Sequence, residues 1–248
     1  MSYRPARRGG AGMEILEVAP LTVALIAINL IVYYLQTRNS GIVVAMNSGT
    51  AAGTQPVQGS VDGHYGLWGP MVASGEWWRL ISSGFLHASI VHLGSNMLAL
   101  FFIGRGLEPV LGALRLGLIY FVSLAAGSLG VIVLDPGSLS IGASGAIFGL
   151  MGAYVVLARD RGISIMQSGI GPVILLNLVI TFTIPGIAIG AHLGGLIGGA
   201  GIAFLMIELD KRRAGRGPAP FIVLALTSFA ALLLIAILLA RSKYPSVG

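Results

Sequence analysis

Five polar side chains of this 248-residue chain have chemistry to share: His87, His92 and Asn96 in HASIVHLGSN, Ser144 in GASGAIFGLMG, and His192 in AHLGG. Each sits beside or within an apolar run. A serine hydroxyl is a weak nucleophile until a base takes its proton, and a neutral imidazole is the usual base. Acyl transfer to that serine builds an oxyanion, which needs hydrogen-bond donors. His92 and Asn96 are four residues apart, hence on one face of a helix, and offer an imidazole and an amide. Backbone N–H groups at the start of a helix beginning near Ser144 would add more, with the positive end of the dipole behind them. No carboxylate accompanies the set, because Asp62, Asp135 and Asp160 fall in loops or at ends and Glu108 falls near the opposite end of its span. The pattern therefore predicts a Ser–His dyad, not a triad. Taken singly, the residues also have plainer readings. Ser144 between Gly142 and Gly145 fits small-residue helix packing, His192 a hydrogen bond to a neighbouring carbonyl, Asn96 a bridge between helices, and His64 a solvated loop residue.

Other chemistries are excluded by what is missing. A zinc site of the H-E-x-x-H type needs two histidines on one helical face, whereas His87 and His92 are five apart with no Glu between them. An aspartyl intramembrane protease needs two carboxylates within spans. The G-x-S-x-G elbow fails because Ala146 stands in place of the last Gly, and the glycines of HLGGLIGGAG lack the preceding strand that a dinucleotide fingerprint requires. With no cysteine, there is no thiol nucleophile and no disulfide framework. No metal or cofactor is expected.

The elements that position these residues are set by the solvent. Hydrophobic residues make up 55% of the chain and charged residues 10%, against about a quarter charged in soluble domains. The expected fold is an all-α polytopic membrane bundle. Spans are read at 19–35, 90–103 with an extension to 114, 116–134, 144–158, 170–187, 190–207 and 221–240, giving six core helices and a seventh at the C-terminus. The corresponding organisation is a cytoplasmic segment 1–18, a core 19–207 with a long outer loop 36–89, a basic cytoplasmic loop 208–220, and a seventh helix with its tail at 221–248.

Basic residues fix the expected orientation. Arg4, Arg7, Arg8, Arg105, Arg115, Arg159, Arg161, Lys211, Arg212, Arg213 and Arg216 fall on one side; Arg38, Arg79, Arg241 and Lys243 fall on the other. The excess marks the first side as cytoplasmic, with the N-terminus there and the C-terminal tail outside against its own charge. The net charge of +6 then reads as a basic rim facing anionic lipid, with no nucleic-acid partner. No A-x-A-like site follows the first span, which reads as a retained anchor. Trp77-Trp78-Arg79, ending the long loop, reads as a segment resting at the membrane interface.

Ser144 and His192 come out at one depth. Ser144 lies 15 residues before Arg159 and His192 lies 16 before Glu208, about 22 and 24 Å at a rise of ~1.5 Å per residue. Both fall short of the roughly 30 Å hydrocarbon thickness, so the fourth helix starts below the outer surface and the loop around Asp135-Pro136-Gly137-Ser138 dips to meet it. Gly145, Gly149 and Gly152 on the fourth span, with Gly195 and Gly199 on the sixth, allow the two helices to approach closely.

In their order on the second, fourth and sixth spans, HASIVHLGSN, the Gly142-Ala143-Ser144-Gly145 element and AHLGG resemble the signature of the rhomboid intramembrane serine proteases. Trp78-Arg79 and Gly104…Glu108…Gly112 match further features of that family, so the resemblance covers roughly residues 19–207. It implies that Ser144 is the nucleophile, His192 its base, and His92 and Asn96 the oxyanion donors. His87 and Gly142 belong to the same motifs in supporting or substrate-binding roles, and Phe148 occupies the position of an aromatic ring set against the histidine. Implied partners are the transmembrane helices of other proteins, within a bacterial-type plasma membrane. The alternative is an inactive rhomboid-like protein that binds and routes membrane clients, although such relatives would be expected to lack the serine or the histidine. A transporter would show paired broken spans in two related halves, and the sequence has none.

Overall fold

A computed structural model describes residues 19–39, 61–183, 187–212 and 218–245. The expected segment 1–18, residues 40–60 of the outer loop, and Arg213 and Arg216 lie outside them. The described residues form ten α-helices: α1 Pro20–Asn39, α2 Val61–Tyr65, α3 Gly69–Ala73, α4 Arg79–Ser82, α5 Ile90–Leu111, α6 Ala113–Leu134, α7 Ser144–Asp160, α8 Gly171–Thr183, α9 Ile189–Arg212 and α10 Ala219–Lys243. Two 3₁₀ turns, Ser83–Phe85 and Met166–Ser168, complete the set. The chain is an all-α polytopic membrane bundle.

Each of the seven expected spans contains a helix, but among the described residues only α1, α5, α6, α9 and α10 are long and apolar enough to cross a membrane. Helix α7 has 17 residues and α8 only 13, about 20 Å at the helical rise. Within the expected fifth span, 170–187, the described helix runs over Gly171–Thr183. The second span stops short of 114, at Gly112, whose φ of 78° lets one residue turn α5 into α6.

Helix α9 is a wedge between α6 and α7, and its glycines form two faces. Gly190, Gly194 and Gly198 lie against Gly130 and Ala126 of α6, while Gly195 and Gly199 lie against Gly145 and Gly149 of α7. A Cβ at any of these five positions would run into the facing helix. Such backbone contact replaces the hydrophobic drive that helices lack in lipid.

The start of α1 is held by α5. The buried Glu108 carboxylate accepts from the backbone N–H groups of Leu21 and Thr22 and from the Thr22 hydroxyl, at 2.6–2.8 Å, and so answers donors that a helix start leaves unpaired. At the other end of the bundle, α10 packs Ala236 and Ala240 into a cluster with Val131, Ile132 and residues of the first loop. Lys243 Nζ donates to the carbonyls of Ile132 and Val133 at 3.0 and 2.8 Å, capping the end of α6.

The indoles of Trp77 and Trp78 are exposed, whereas Arg79, expected to rest at the interface beside them, is only 2% exposed. Its guanidinium bonds Glu76 and the Gly66 carbonyl. A buried guanidinium needs such partners, and this one fastens the loop helices together. They in turn hold the segment ahead of α7: Leu67 and Ser140 exchange two backbone hydrogen bonds, and Gly142 N–H donates to the Ser83 carbonyl at 2.9 Å. Non-helical backbone at this depth is thus paired within the protein.

Candidate active site

Ser144 is the first residue of α7, and no side chain caps the helix start. His192 lies in the first turn of α9, and the wedge packing of α9 on α7 brings the two together. Ser144 Oγ is 2.7 Å from His192 Nε2. The imidazole is held on two further sides. Phe148, one turn into α7, stacks on it with ring centroids 4.1 Å apart and planes 12° from parallel, and Thr181 Oγ1 of α8 lies 2.8 Å from Nδ1.

Helix α5 supplies a second group. Ser89 Oγ caps its start by accepting from His92 N–H at 3.1 Å, and Ala88 N–H donates to His92 Nδ1 at 3.4 Å. With Nδ1 acting as acceptor, the ring proton belongs on Nε2. Asn96, one turn further, is buried, and its Nδ2 has no hydrogen-bond partner among the described residues. Both groups point toward Gly142. A Cβ there would lie 2.9 Å from His92 Nε2 and 3.6 Å from Asn96 Nδ2, and the φ of +132° is itself in the region that favours glycine. Two residues before Ser144, then, two N–H donors converge on a backbone that has no side chain in their way.

His87 packs edge-on against His92, centroids 5.1 Å apart. Its backbone is clamped by Gln36 of α1, whose amide donates to the His87 carbonyl and accepts from its N–H. Burial first, then the neighbouring His92, pushes the His87 pKa down to about 3, so it stands as a neutral ring. Gln36 also donates to Asp62 at 2.7 Å, whose carboxyl pKa is raised by burial. His64 is exposed. Gly195 and Gly199 lie one and two turns from His192 and touch Gly145 and Gly149 of α7, not the Ser144 or His192 side chains. A small cavity borders the turn before Ser144, lined by Ser83, Leu124, Ser128, Ser140, Gly142 and Ala191.

Sequence reasoning did not single out Thr181, Asn177 or Gln36. Thr181 and Asn177 are a polar pair at i and i+4 inside an apolar run, the only signal they give.

Residues 74–209, more than half of the chain and spanning α4 to α8 with most of α9, match the family profile described as "Rhomboid domain". The chain belongs to the rhomboid family. It is 39% identical over 146 residues to YdcA of Bacillus subtilis, named as a candidate rhomboid protease, a match covering 57% of this chain and 73% of that one. It is 42% identical over 132 residues to the rhomboid protease GluP of the same organism, a match covering 52% of this chain and 26% of GluP. RHOMBOID-like protein 7 of Arabidopsis thaliana is 35% identical over 144 residues, 56% of this chain and 46% of the relative. The chain thus spans most of YdcA but less than half of the two longer relatives.

Proposed function

We propose that this rhomboid-family protein is an intramembrane serine endopeptidase that cuts transmembrane helices of other proteins near the outer membrane face through a Ser144–His192 dyad. The observation that carries the reading is the 2.7 Å contact between Ser144 Oγ and His192 Nε2, hydrogen-bond distance for proton transfer to the base. Ser144 Oγ attacks the scissile carbonyl as its proton passes to Nε2; the new C–O bond forms and the carbonyl oxygen takes the charge. His92 Nε2–H, Asn96 Nδ2–H and N–H groups of the first turn of α7 hold that oxyanion. Collapse breaks the C–N bond, His192 returns its proton to the leaving nitrogen, and water activated by His192 then releases the acyl group.

A helical substrate hides its carbonyls in its own i to i−4 ladder, so substrates with Gly, Pro or polar residues just inside the membrane boundary are favoured. The small cavity beside Gly142 suits a small side chain before the cut. The chain lies in a bacterial-type plasma membrane with its N-terminus cytoplasmic, in contact with anionic lipid. An inactive client-binding role would leave the Ser–His contact without a use. The test is incubation of a panel of single-span proteins with wild type and Ser144→Ala in proteoliposomes, with products mapped by mass spectrometry. Cuts made by wild type alone, near one membrane boundary, are expected. The same products from both proteins, or none from either, would overturn the reading.

A further inference from the structure

We infer that Thr181 is a positioning residue for the base, fixing His192 in the tautomer that carries its proton on Nδ1 and turns a bare Nε2 to Ser144. The proposal rests on the dyad reading above and concerns what orients its imidazole where no carboxylate is at hand. Thr181 Oγ1 has two close polar neighbours: the Asn177 carbonyl at 2.7 Å and His192 Nδ1 at 2.8 Å. A hydroxyl has one proton and two lone pairs, and a carbonyl only accepts. The Thr181 proton must therefore go to Asn177, because otherwise two oxygens would face each other at 2.7 Å with no hydrogen between them. Nδ1 is left as the donor to Thr181 Oγ1. Which ring nitrogen carries the proton is set by the hydrogen bond the other makes, so Nε2 is the lone-pair nitrogen.

The result is a chain of donors running in one direction, from Ser144 O–H to His192 Nε2, from Nδ1–H to Thr181 Oγ1, and from Thr181 O–H to Asn177. When Nε2 takes the serine proton, Nδ1–H keeps its acceptor. A hydroxyl provides this orientation without placing a charge at membrane depth, where a carboxylate is costly. Thr181 is 3% exposed and His192 7%, so water does not readily replace the contact. Geometry alone makes α8 the carrier of the base's second partner, although the only residues this helix buries are Gly171, Ile174 and Thr181.

The experiment compares full-length wild type, the near-isosteric Thr181→Val, and Thr181→Ser. Nitrogen-15 histidine NMR reads the His192 tautomer, with the resonance assigned through His192→Gln. Cleavage of a single-span reporter in proteoliposomes gives kcat and KM separately, and a fluorophosphonate probe reports labelling of Ser144. Wild type should carry its proton on Nδ1. Thr181→Val should shift the tautomer toward Nε2–H and lower kcat and labelling by about tenfold at unchanged KM, and Thr181→Ser should restore the wild-type tautomer and most of the rate. A wild-type proton on Nε2 overturns the proposal even if Thr181→Val fails to fold. So does an unchanged tautomer and rate in Thr181→Val, or equal impairment in Val and Ser, which would mark a packing role. A wild type that neither cleaves nor takes the probe overturns the dyad reading instead, while the tautomer still decides the part assigned to Thr181.

Discussion

Replacing Gly195 with Ala adds one carbon and touches no reacting atom, yet it should disable the Ser–His pair. An ideal Cβ at Gly195 lies 2.7 Å from the carbonyl carbon of Gly145 and 3.2 Å from its Cα, and overlaps its oxygen. Ordinary contact begins at 3.4 Å. The carbonyl carbon alone demands about 0.7 Å of relief and the oxygen more, so α7 and α9 must part by roughly 1 Å, a typical response to overpacking. Gly145 adjoins Ser144 and Gly195 is one turn from His192, so the parting reaches the pair almost undiminished. The contact of 2.7 Å would open to about 3.7 Å, beyond hydrogen-bond range. Misplacement by about 1 Å costs of order 10² in rate. Overpacking costs about 1–3 kcal/mol, and the gain in helix propensity from Gly to Ala returns about 1 kcal/mol of it, so folding should survive. The assay is thermal unfolding and fluorophosphonate labelling of Ser144 on the same purified sample. A folded Gly195→Ala that labels at the wild-type rate would show that glycine contact does not set the distance.

Ser144→Ala and His192→Ala should each abolish cleavage while leaving the melting temperature near wild type, because residues acting as a unit fail together; substantial turnover in either would remove it from the dyad. Asn96→Ala and His92→Ala should fall by about 10²–10³ in kcat without being dead, since backbone donors remain, and unchanged turnover in both would end their assignment as oxyanion donors. Stability should decline on acidification through His87. Its folded value of about 3 lies below the ordinary 6.5, so between those limits the unfolded chain binds the proton and the folded chain does not, and stability rises with pH. Melting in detergent should therefore drop as pH falls from 6.5 toward 3, with a shallower slope in His87→Leu; identical slopes would refute this.

Much of this geometry was legible because membrane burial makes polar residues conspicuous. Ser144, His192, His92 and Asn96 stand out against runs of Leu, Ile, Val and Ala, and helical rise alone puts the first two at a common depth. One glycine face of α9 was legible for the same reason. Its second face, Gly190, Gly194 and Gly198, was not, since a glycine pair such as Gly194-Gly195 does not announce that each member serves a different neighbour. Thr181 was hidden because threonine in a helix commonly bonds the carbonyl four residues back, which here it also does, and only the fold adds the imidazole. Arg79 misled in the other direction. Beside two tryptophans it has the composition of an interfacial anchor, but Glu76 three residues earlier and the Gly66 carbonyl just past α2 draw it inward.

The two-faced docking of α9 also bears on how the protein is made. Synthesis runs from the N-terminus, so Ser144 and both side chains of α5 are in place in the chain before His192 is translated. Helix α9 has no complete seat until α6 and α7 stand side by side, because each glycine face needs a different one of them. His192 consequently reaches Ser144 only when α9 docks on a correctly assembled pair of helices. On the proposed dyad, a nascent or misassembled chain would carry the serine without its base, so that cleavage of neighbouring helices would wait for the docking of α9.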